Sequence, residues 1–100
     1  MFIAILDFST TAADRPAALA QLESEREEIR AMPGSVAYRV YASRDDDTGV
    51  AVIHEWQDEA SFAAYQSSEA FARSGVVVRP LMTGAPNSRR FRAELVETVA

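Results

Sequence analysis

The sequence predicts a single α+β domain, with a layer of helices on one face of a four-stranded sheet. The chain has 100 residues, the usual size of one domain. Hydrophobic residues make up 48% of it, while glycine and proline number four each, which is typical of a globular protein. Short β-prone runs and segments of helical spacing alternate in the order strand, helix, strand, strand, helix, strand. These observations predict one domain over residues 1–100.

The first strand and the first helix occupy the first third of the chain. Residues 2–9 are apolar and β-prone, and the polar residues that follow predict a turn. Asp14 is assigned as the N-cap of the helix, with Pro16 in its first turn. Pro33-Gly34 ends the helix, because proline cannot continue it and glycine suits a left-handed cap. The apolar face of this helix holds Leu19, Leu22 and Ile29, and the glutamates expected to point mostly outward are Glu23, Glu25, Glu27 and Glu28.

A β-hairpin is predicted next. Residues 35–43 and 50–57 are both β-prone, and the polar residues 44–49 between them suit a turn. Tyr38 and Tyr41 fall on opposite faces of the second strand, so at most one of them is expected to line any given pocket.

The last third of the chain predicts a helix, a loop and a strand. Asp58 caps the second helix, and Phe71 is assigned to a short further turn that ends near Gly75. Residues 76–87 contain two prolines and a glycine and are assigned to a loop. Residues 88–99 alternate apolar with charged side chains, which predicts a half-exposed strand.

This order of elements is that of the ferredoxin-like βαββαβ fold with an antiparallel sheet. The first and third strands are expected to form the central pair and to run parallel, which would bring Asp7 and Trp56 to the same edge. Both faces of the first strand are apolar, and the helices can cover only one of them. We therefore expect a homodimer, in which a second sheet covers the other face to form a dimeric α/β barrel. The alternative is an open monomer.

Composition and charge exclude several classes of function. The net charge of −5 argues against a nucleic-acid partner, which would require neutralisation of phosphates. The absence of cysteine excludes disulfides and thiolate chemistry, and His54 is the only histidine, which is too few for a zinc site. No apolar run approaches the ~20 residues needed to cross a bilayer. The apolar start fits a buried strand better than a secretory signal, so a cytoplasmic protein is expected.

The stretch from His54 to Tyr65 resembles the antibiotic biosynthesis monooxygenase family of dimeric α+β barrels. In that family a strand ends in a tryptophan, an acidic residue opens the next helix, and an apolar residue and then a histidine or other polar aromatic follow. Trp56, Asp58, Phe62 and Tyr65 occupy those positions here. His54 stands where the family commonly has a glutamate. The similarity in element order covers almost the whole chain.

This resemblance implies an enzyme that oxidises an electron-rich phenol, quinol or anthrone to a quinone without a metal or flavin. The substrate would lose a proton, pass an electron to molecular oxygen as the co-substrate, and combine with the superoxide formed. Such chemistry requires a dry pocket and a hydrogen-bond or base partner for the phenolate. The family also has a heme-degrading branch with an asparagine and a histidine ligand, where this chain has Asp7 and Tyr65. Heme degradation is therefore not expected.

Four residues are candidates for catalysis and three for substrate binding. His54 is the first candidate for the base, because an unperturbed imidazole has a pKa of about 6.5. Asp7 and Tyr65 are the second candidates, and Trp56 is expected to form an apolar wall on which an aromatic substrate stacks. The side chains expected to bind the substrate are Phe62, Tyr38 and Leu22.

Each assignment has a structural alternative, and so has the function. Trp56 and Tyr65 can serve as core packing, a strand histidine is more often structural, and Asp7 can cap a turn. The same scaffold could also hold an aromatic polyketide cyclase or isomerase, or a non-enzymatic dimeric binding module. Oxygen uptake separates the oxygenase from the cyclase, and turnover separates both from a binding module.

Overall fold

The computed structural model describes residues 1–100 as four strands in one sheet with all the helices on one of its faces. The sheet order is β2-β3-β1-β4, which confirms the predicted ferredoxin-like arrangement. The elements in chain order are β1 (Phe2–Ser9), α1 (Arg15–Ser24), α2 (Arg26–Arg30), β2 (Ser35–Ala42), β3 (Gly49–Trp56), α3 (Glu59–Gln66), α4 (Glu69–Val78), a 3₁₀ turn (Arg79–Leu81) and β4 (Asn87–Arg92).

The central strands β1 and β3 run antiparallel, so the prediction of a parallel central pair is wrong. Phe2 lies opposite Trp56, and Asp7 lies opposite Ala51. The helical crossover makes β2 parallel to β1 and leaves one strand position between them. The β2-β3 hairpin then places β3 in that position, antiparallel to both neighbours. Asp7 and Trp56 therefore lie at opposite ends of the sheet, not at one edge.

Alternation along the strands separates a helix-covered face of the sheet from an open face. On β3 every second residue is buried beneath the helices, from Val50 to Trp56, while Ile53 and its neighbours of the same parity are only half-buried. β1 follows the same rule, with Phe2 and Phe8 buried and Ile5 half-buried. The core therefore lies between the helices and one face, and the other face has no cover within this chain.

The first predicted helix is two helices, α1 and α2, that meet at Glu25. Leu22, Glu25 and Ile29 follow a spacing of three and four residues, and all three are buried. The expectation that Glu25 points outward with the other glutamates is therefore wrong. Its carboxylate is turned inward and is bound by side chains of α1 and α4.

Helix α4 is longer than predicted and β4 is shorter. α4 continues through Gly75 to Val78, because Val78 packs in the core, and it ends just before Pro80. Much of the predicted loop over 76–87 is therefore helical. β4 ends at Arg92, because its partner β1 ends opposite it at Phe2. The alternation beyond residue 92 continues without a strand to pair with.

Two predicted helix starts agree with the structure. The side chain of Asp58 accepts a hydrogen bond from the Ser61 backbone N–H at 2.8 Å, which caps α3. Asp14 is the N-cap of α1, although its side chain makes no capping hydrogen bond. None of the helices is long and apolar enough to cross a membrane.

Candidate active site

A cavity of about 180 Å³ lies between the helices and the covered face of the sheet. All four strands supply one side of it, and α1, α3 and α4 supply the other. Five of the residues predicted for the site line it, namely His54, Tyr65, Phe62, Tyr38 and Leu22. All of these side chains belong to one chain.

His54 and Trp56 form a buried hydrogen-bonded pair at the end of β3. They lie two residues apart on one strand, so both side chains point under the helices. The indole Nε1–H of Trp56 donates to His54 Nδ1 at 2.8 Å. Since Nδ1 acts as an acceptor, a neutral His54 carries its proton on Nε2. The His54 side chain can therefore donate a hydrogen bond to a molecule in the cavity.

Burial sets the charge of His54. The side chain is 5% exposed, and its pKa falls from 6.5 to about 4 because of burial and, to a lesser extent, the positive charge of Arg90. The imidazole is therefore neutral near pH 7, and its one basic nitrogen is occupied by the indole. This geometry favours a hydrogen-bond donor at Nε2 over the general base predicted from the sequence.

Trp56 lies behind the cavity wall. The indole is 0% exposed and does not line the cavity. Instead it stacks on the Tyr65 ring, with centroids 5.3 Å apart and planes at 27°. The expected stacking surface for a substrate is therefore taken by Tyr65, and Trp56 supports both His54 and Tyr65 from behind.

Tyr65 and Tyr38 both line the cavity. Burial, with the negative charge of Glu25 as a further cause, raises the pKa of Tyr65 to about 12. The pKa of Tyr38 is also raised, first by burial and then by the charges of Tyr65 and Glu25. Both tyrosines therefore remain protonated near neutral pH and can donate or accept a hydrogen bond.

Asp7 is not part of this cavity. It lies on the open face at the far end of β1, where it forms an ion pair with Arg89 at 3.6 Å. It also lines a broad groove of about 520 Å³ between the β2-β3 turn and residues 83–87. The grouping of Asp7 with Trp56 followed from the parallel strand pair, so the antiparallel register separates them.

Arg90 is a cavity residue that the sequence analysis missed. It lies on β4 opposite Ala4, and its guanidinium carbon is 5.1 Å from the centroid of the Phe62 ring. No carboxylate lies within ion-pair distance of it, unlike Arg89 and Arg92. The alternation of β4 could have indicated it, since Phe91 and Arg90 must face opposite sides. The sequence does not show which side carries the cavity.

A family model described as "Antibiotic biosynthesis monooxygenase" matches residues 1–74. The chain belongs to this family. The matched residues of this chain include His54, Trp56, Phe62 and Tyr65, and the match ends before Arg90. Among curated proteins, none matches this chain.

Several solved structures have the same fold as this chain. A protein from Nitrosomonas europaea that carries the family's name is 16% identical, with a TM-score of 0.87 and coverage of 93% of this chain and 98% of the other. One from Deinococcus radiodurans, also named for the family, is 13% identical, with a TM-score of 0.89 and coverage of 100% and 99%. A protein from Mycobacterium tuberculosis is 20% identical, with a TM-score of 0.86 and coverage of 98% of both chains. At these identities the likeness shows the fold alone.

Proposed function

We propose that this protein is a cofactor-independent monooxygenase that oxidises a phenol, hydroquinone or anthrone-type substrate to a quinone with molecular oxygen. The observation that carries the proposal is the cavity beside His54, which combines aromatic and aliphatic walls with polar groups at a few positions. An aromatic substrate would pack against Phe62 and Leu22. The substrate oxygen would accept a hydrogen bond from the Nε2–H of His54 and lie near the positive charge of Arg90.

The polar groups suit an anionic oxygen in the substrate. A phenol must lose its proton before it can pass an electron to oxygen, and the anion then needs stabilisation in a site with little water. The Nε2–H of His54 supplies a neutral donor, and Arg90 supplies a positive charge without a carboxylate partner. Superoxide formed from oxygen would carry its negative charge in the same environment.

The size of the cavity restricts the substrate. An apolar cavity of ~150 Å³ holds benzene, whereas pockets for drug-sized ligands begin near ~300 Å³. The cavity here is about 180 Å³. Within the proposed class of substrates, this favours a phenol or hydroquinone of one or two rings over a three-ring anthrone.

The proposal includes a homodimer formed through the open face of the sheet. Ile3, Ile5 and Ile53 are neighbours on this face, and Tyr41 and Phe91 remain 47% and 43% exposed beside them. Two ion pairs, Arg39–Glu55 and Arg89–Asp7, cross the same face. A second copy would cover these apolar side chains, as the family's dimeric barrels imply.

The test of the function is an aerobic and an anaerobic assay with one-ring and two-ring hydroquinones and with anthrones. Quinone formation is read by absorbance and oxygen uptake with an electrode. Oxidation that requires both the protein and oxygen supports the monooxygenase. Substrate converted equally well without oxygen, to a product that is not a quinone, indicates the cyclase or isomerase, and binding without turnover indicates the binding module.

Variants at the His54–Trp56 pair test the mechanism. His54→Phe removes the Nε2–H donor, so turnover should fall about 100-fold, the cost of removing one donor to a developing anion. His54→Gln keeps a donor and should restore part of the rate. Trp56→Phe removes the hydrogen bond that sets the His54 tautomer and should lower the rate less. Tyr41→Phe on the open face is the matched control. If His54→Phe and Trp56→Phe both turn over at the rate of this control, the proposed roles of His54 and Trp56 are rejected.

The pH profile separates a donor from a base. Since the pKa of His54 is about 4, turnover should be independent of this residue's titration near neutral pH. A rate that rises through pH 6.5 in the wild type and loses that rise in His54→Gln would instead assign His54 as the base.

A further inference from the structure

The cavity beside His54 opens to solvent through a mouth formed by Arg79, Pro86, Ser88 and Arg90. These four residues are exposed, whereas all the other residues that line the cavity are buried or half-buried. Arg79 directly follows α4, and the other three lie on β4 or just before it. Both charged residues of the mouth are therefore arginines, and they come from opposite sides of the cavity.

The cavity is positively charged in an acidic protein. The chain has 15 acidic and 10 basic residues and a net charge of −5, yet no aspartate or glutamate lines this cavity. His54 is neutral near pH 7, so the two arginines give the cavity a charge of +2. A concave site lined by one sign of charge attracts ligands of the opposite sign. The charge of the cavity therefore favours an anionic ligand over an uncharged one.

The two arginines of the mouth have no partner within the chain. Neither guanidinium donates a hydrogen bond or forms an ion pair, whereas Arg89 and Arg92, which flank Arg90 on β4, both bind carboxylates. A guanidinium carries five N–H donors and no acceptor. Arg79 and Arg90 therefore keep these donors for a bound molecule.

Each arginine is held against a different part of the cavity wall. The guanidinium carbon of Arg90 is 5.1 Å from the centroid of the Phe62 ring, and its positive charge reaches His54, whose pKa it helps to lower. The side chain of Arg79 lies along α4, where its Nε is 3.6 Å from the position that a Cβ on Gly75 would take. Gly75 itself lines the cavity. Arg90 therefore serves the part of the cavity near His54, and Arg79 serves the α4 side of the mouth.

We propose that the substrate is a phenol or hydroquinone that carries a carboxylate, and that Arg79 binds this carboxylate at the mouth of the cavity. The phenol oxygen then lies inside, beside His54 and Arg90. This specificity rests on the proposed function and makes Arg79 a substrate-binding residue.

The number of charges favours a carboxylate over a phosphate. A carboxylated phenol that has lost its phenolic proton carries two negative charges, one at each end, and each arginine supplies one positive charge. A phosphate monoester would bring up to two negative charges to Arg79 alone. A carboxylate is also planar and can accept two parallel hydrogen bonds from a guanidinium. A one-ring hydroxybenzoate meets both requirements.

The experiment compares the binding of 4-hydroxybenzoate with that of its neutral amide, 4-hydroxybenzamide. Titration calorimetry is carried out at pH 7, where the carboxyl group of the acid is ionised and its phenol is protonated. The wild type should bind the acid about tenfold more tightly than the amide, the lower end of the effect of a hydrogen bond to a charged group, because the mouth is exposed to solvent. Added salt should weaken binding of the acid and leave binding of the amide unchanged.

Variants of two exposed arginines show whether the preference is local. Arg79→Gln should bind the acid as weakly as the amide, and its affinity for the amide should equal that of the wild type, which shows that the cavity is intact. Arg44→Gln is the matched control, because it changes the net charge equally and Arg44 is an exposed residue of the β2-β3 turn that lines no cavity. It should retain the preference of the wild type for the acid.

Equal affinity of the wild type for the acid and the amide would overturn the role of Arg79, as would a preference for the acid that persists in Arg79→Gln. A wild type that binds neither probe would also overturn it. The proposed oxidation is tested separately with uncharged hydroquinones, which need no carboxylate. Failure of that assay would reject the monooxygenase and leave the anion site in place, and failure of the binding preference would reject the anion site alone.

Discussion

At the scale of single residues, the site depends on which nitrogen of His54 holds the proton. The indole of Trp56 occupies Nδ1, so the donor at Nε2 follows from one hydrogen bond of 2.8 Å. The same burial that makes His54 a neutral donor makes its protonation unfavourable. The function of the residue and its contribution to stability are therefore linked.

Stability should fall as the pH is lowered from 6.5 towards 4. The pKa of His54 is depressed in the folded state, so in this window the unfolded chain binds a proton that the folded chain does not. The contribution of the neutral His54 side chain to the free energy of unfolding is fully present above pH 6.5 and is lost by about pH 4. A shift of this size corresponds to about 3 kcal/mol. Urea unfolding at a series of pH values measures it.

The comparison is made with His54→Gln, which cannot titrate. Carboxylates titrate in both proteins, so their effect cancels in the difference between the two curves. Between pH 6.5 and 4, the free energy of unfolding of His54→Gln should therefore fall less steeply than that of the wild type, whatever the absolute stability of the variant. Parallel curves for the two proteins in this window would contradict the assignment.

At the scale of elements, Gly34 is where α2, β2, β3 and α3 meet. Its φ of 81° lies in the left-handed region, which suits glycine. Its carbonyl accepts a hydrogen bond from the backbone N–H of Gln57 at 2.8 Å, just after β3. A Cβ at this position would overlap the side chain of Ser61 on α3. This residue therefore sets the spacing between the end of β3 and the helix that carries Phe62 and Tyr65.

Gly34→Ala should destabilise the protein by more than about 1 kcal/mol, because it adds backbone strain and a steric overlap. Gly84→Ala is the control, since a Cβ added there would meet nothing within 4 Å and the φ of Gly84 is not positive. That variant should unfold at the wild-type midpoint or slightly above it. Thermal unfolding measures both, and equal midpoints for the two variants would refute the role of Gly34.

At the scale of the whole molecule, the open face of the sheet decides the assembly. Ile53 lies near the middle of this face, opposite Ile5 on β1 and Arg39 on β2. A lysine there would place a charge in the centre of the proposed interface, where an unpaired buried charge is strongly unfavourable.

The wild type should sediment at twice its mass of 11.0 kDa, and Ile53→Lys should sediment as a single chain. Val76→Lys is the control, because Val76 lies on the outer side of α4 and is highly exposed. Sedimentation velocity over a dilution series measures all three proteins. A wild type that remains a single chain at every concentration would contradict the dimer and leave the cavity within the chain unaffected.

The sequence by itself determined the order and type of most elements. Local signals were sufficient for this, since alternation predicted β3, and the capping carboxylate of Asp58 predicted the start of α3. The stretch from His54 to Tyr65 also predicted the family and three of the residues around the cavity, His54, Phe62 and Tyr65. These features depend on neighbours a few residues apart, which the sequence shows directly.

Only the tertiary structure decided the direction of the central strand pair, the position of Asp7, the position of Arg90 at the cavity, and the burial of Glu25. Each of these depends on residues far apart in the chain: β1 on β3, Arg90 on Phe62, and Glu25 on Arg73. An arginine on a strand or a glutamate on a helix is normally solvated, so its residue type predicts the surface. Burial beside Arg73 overrides that preference for Glu25, whereas Arg90 stays exposed and lies over the Phe62 ring. These partners are known only when the chain is folded.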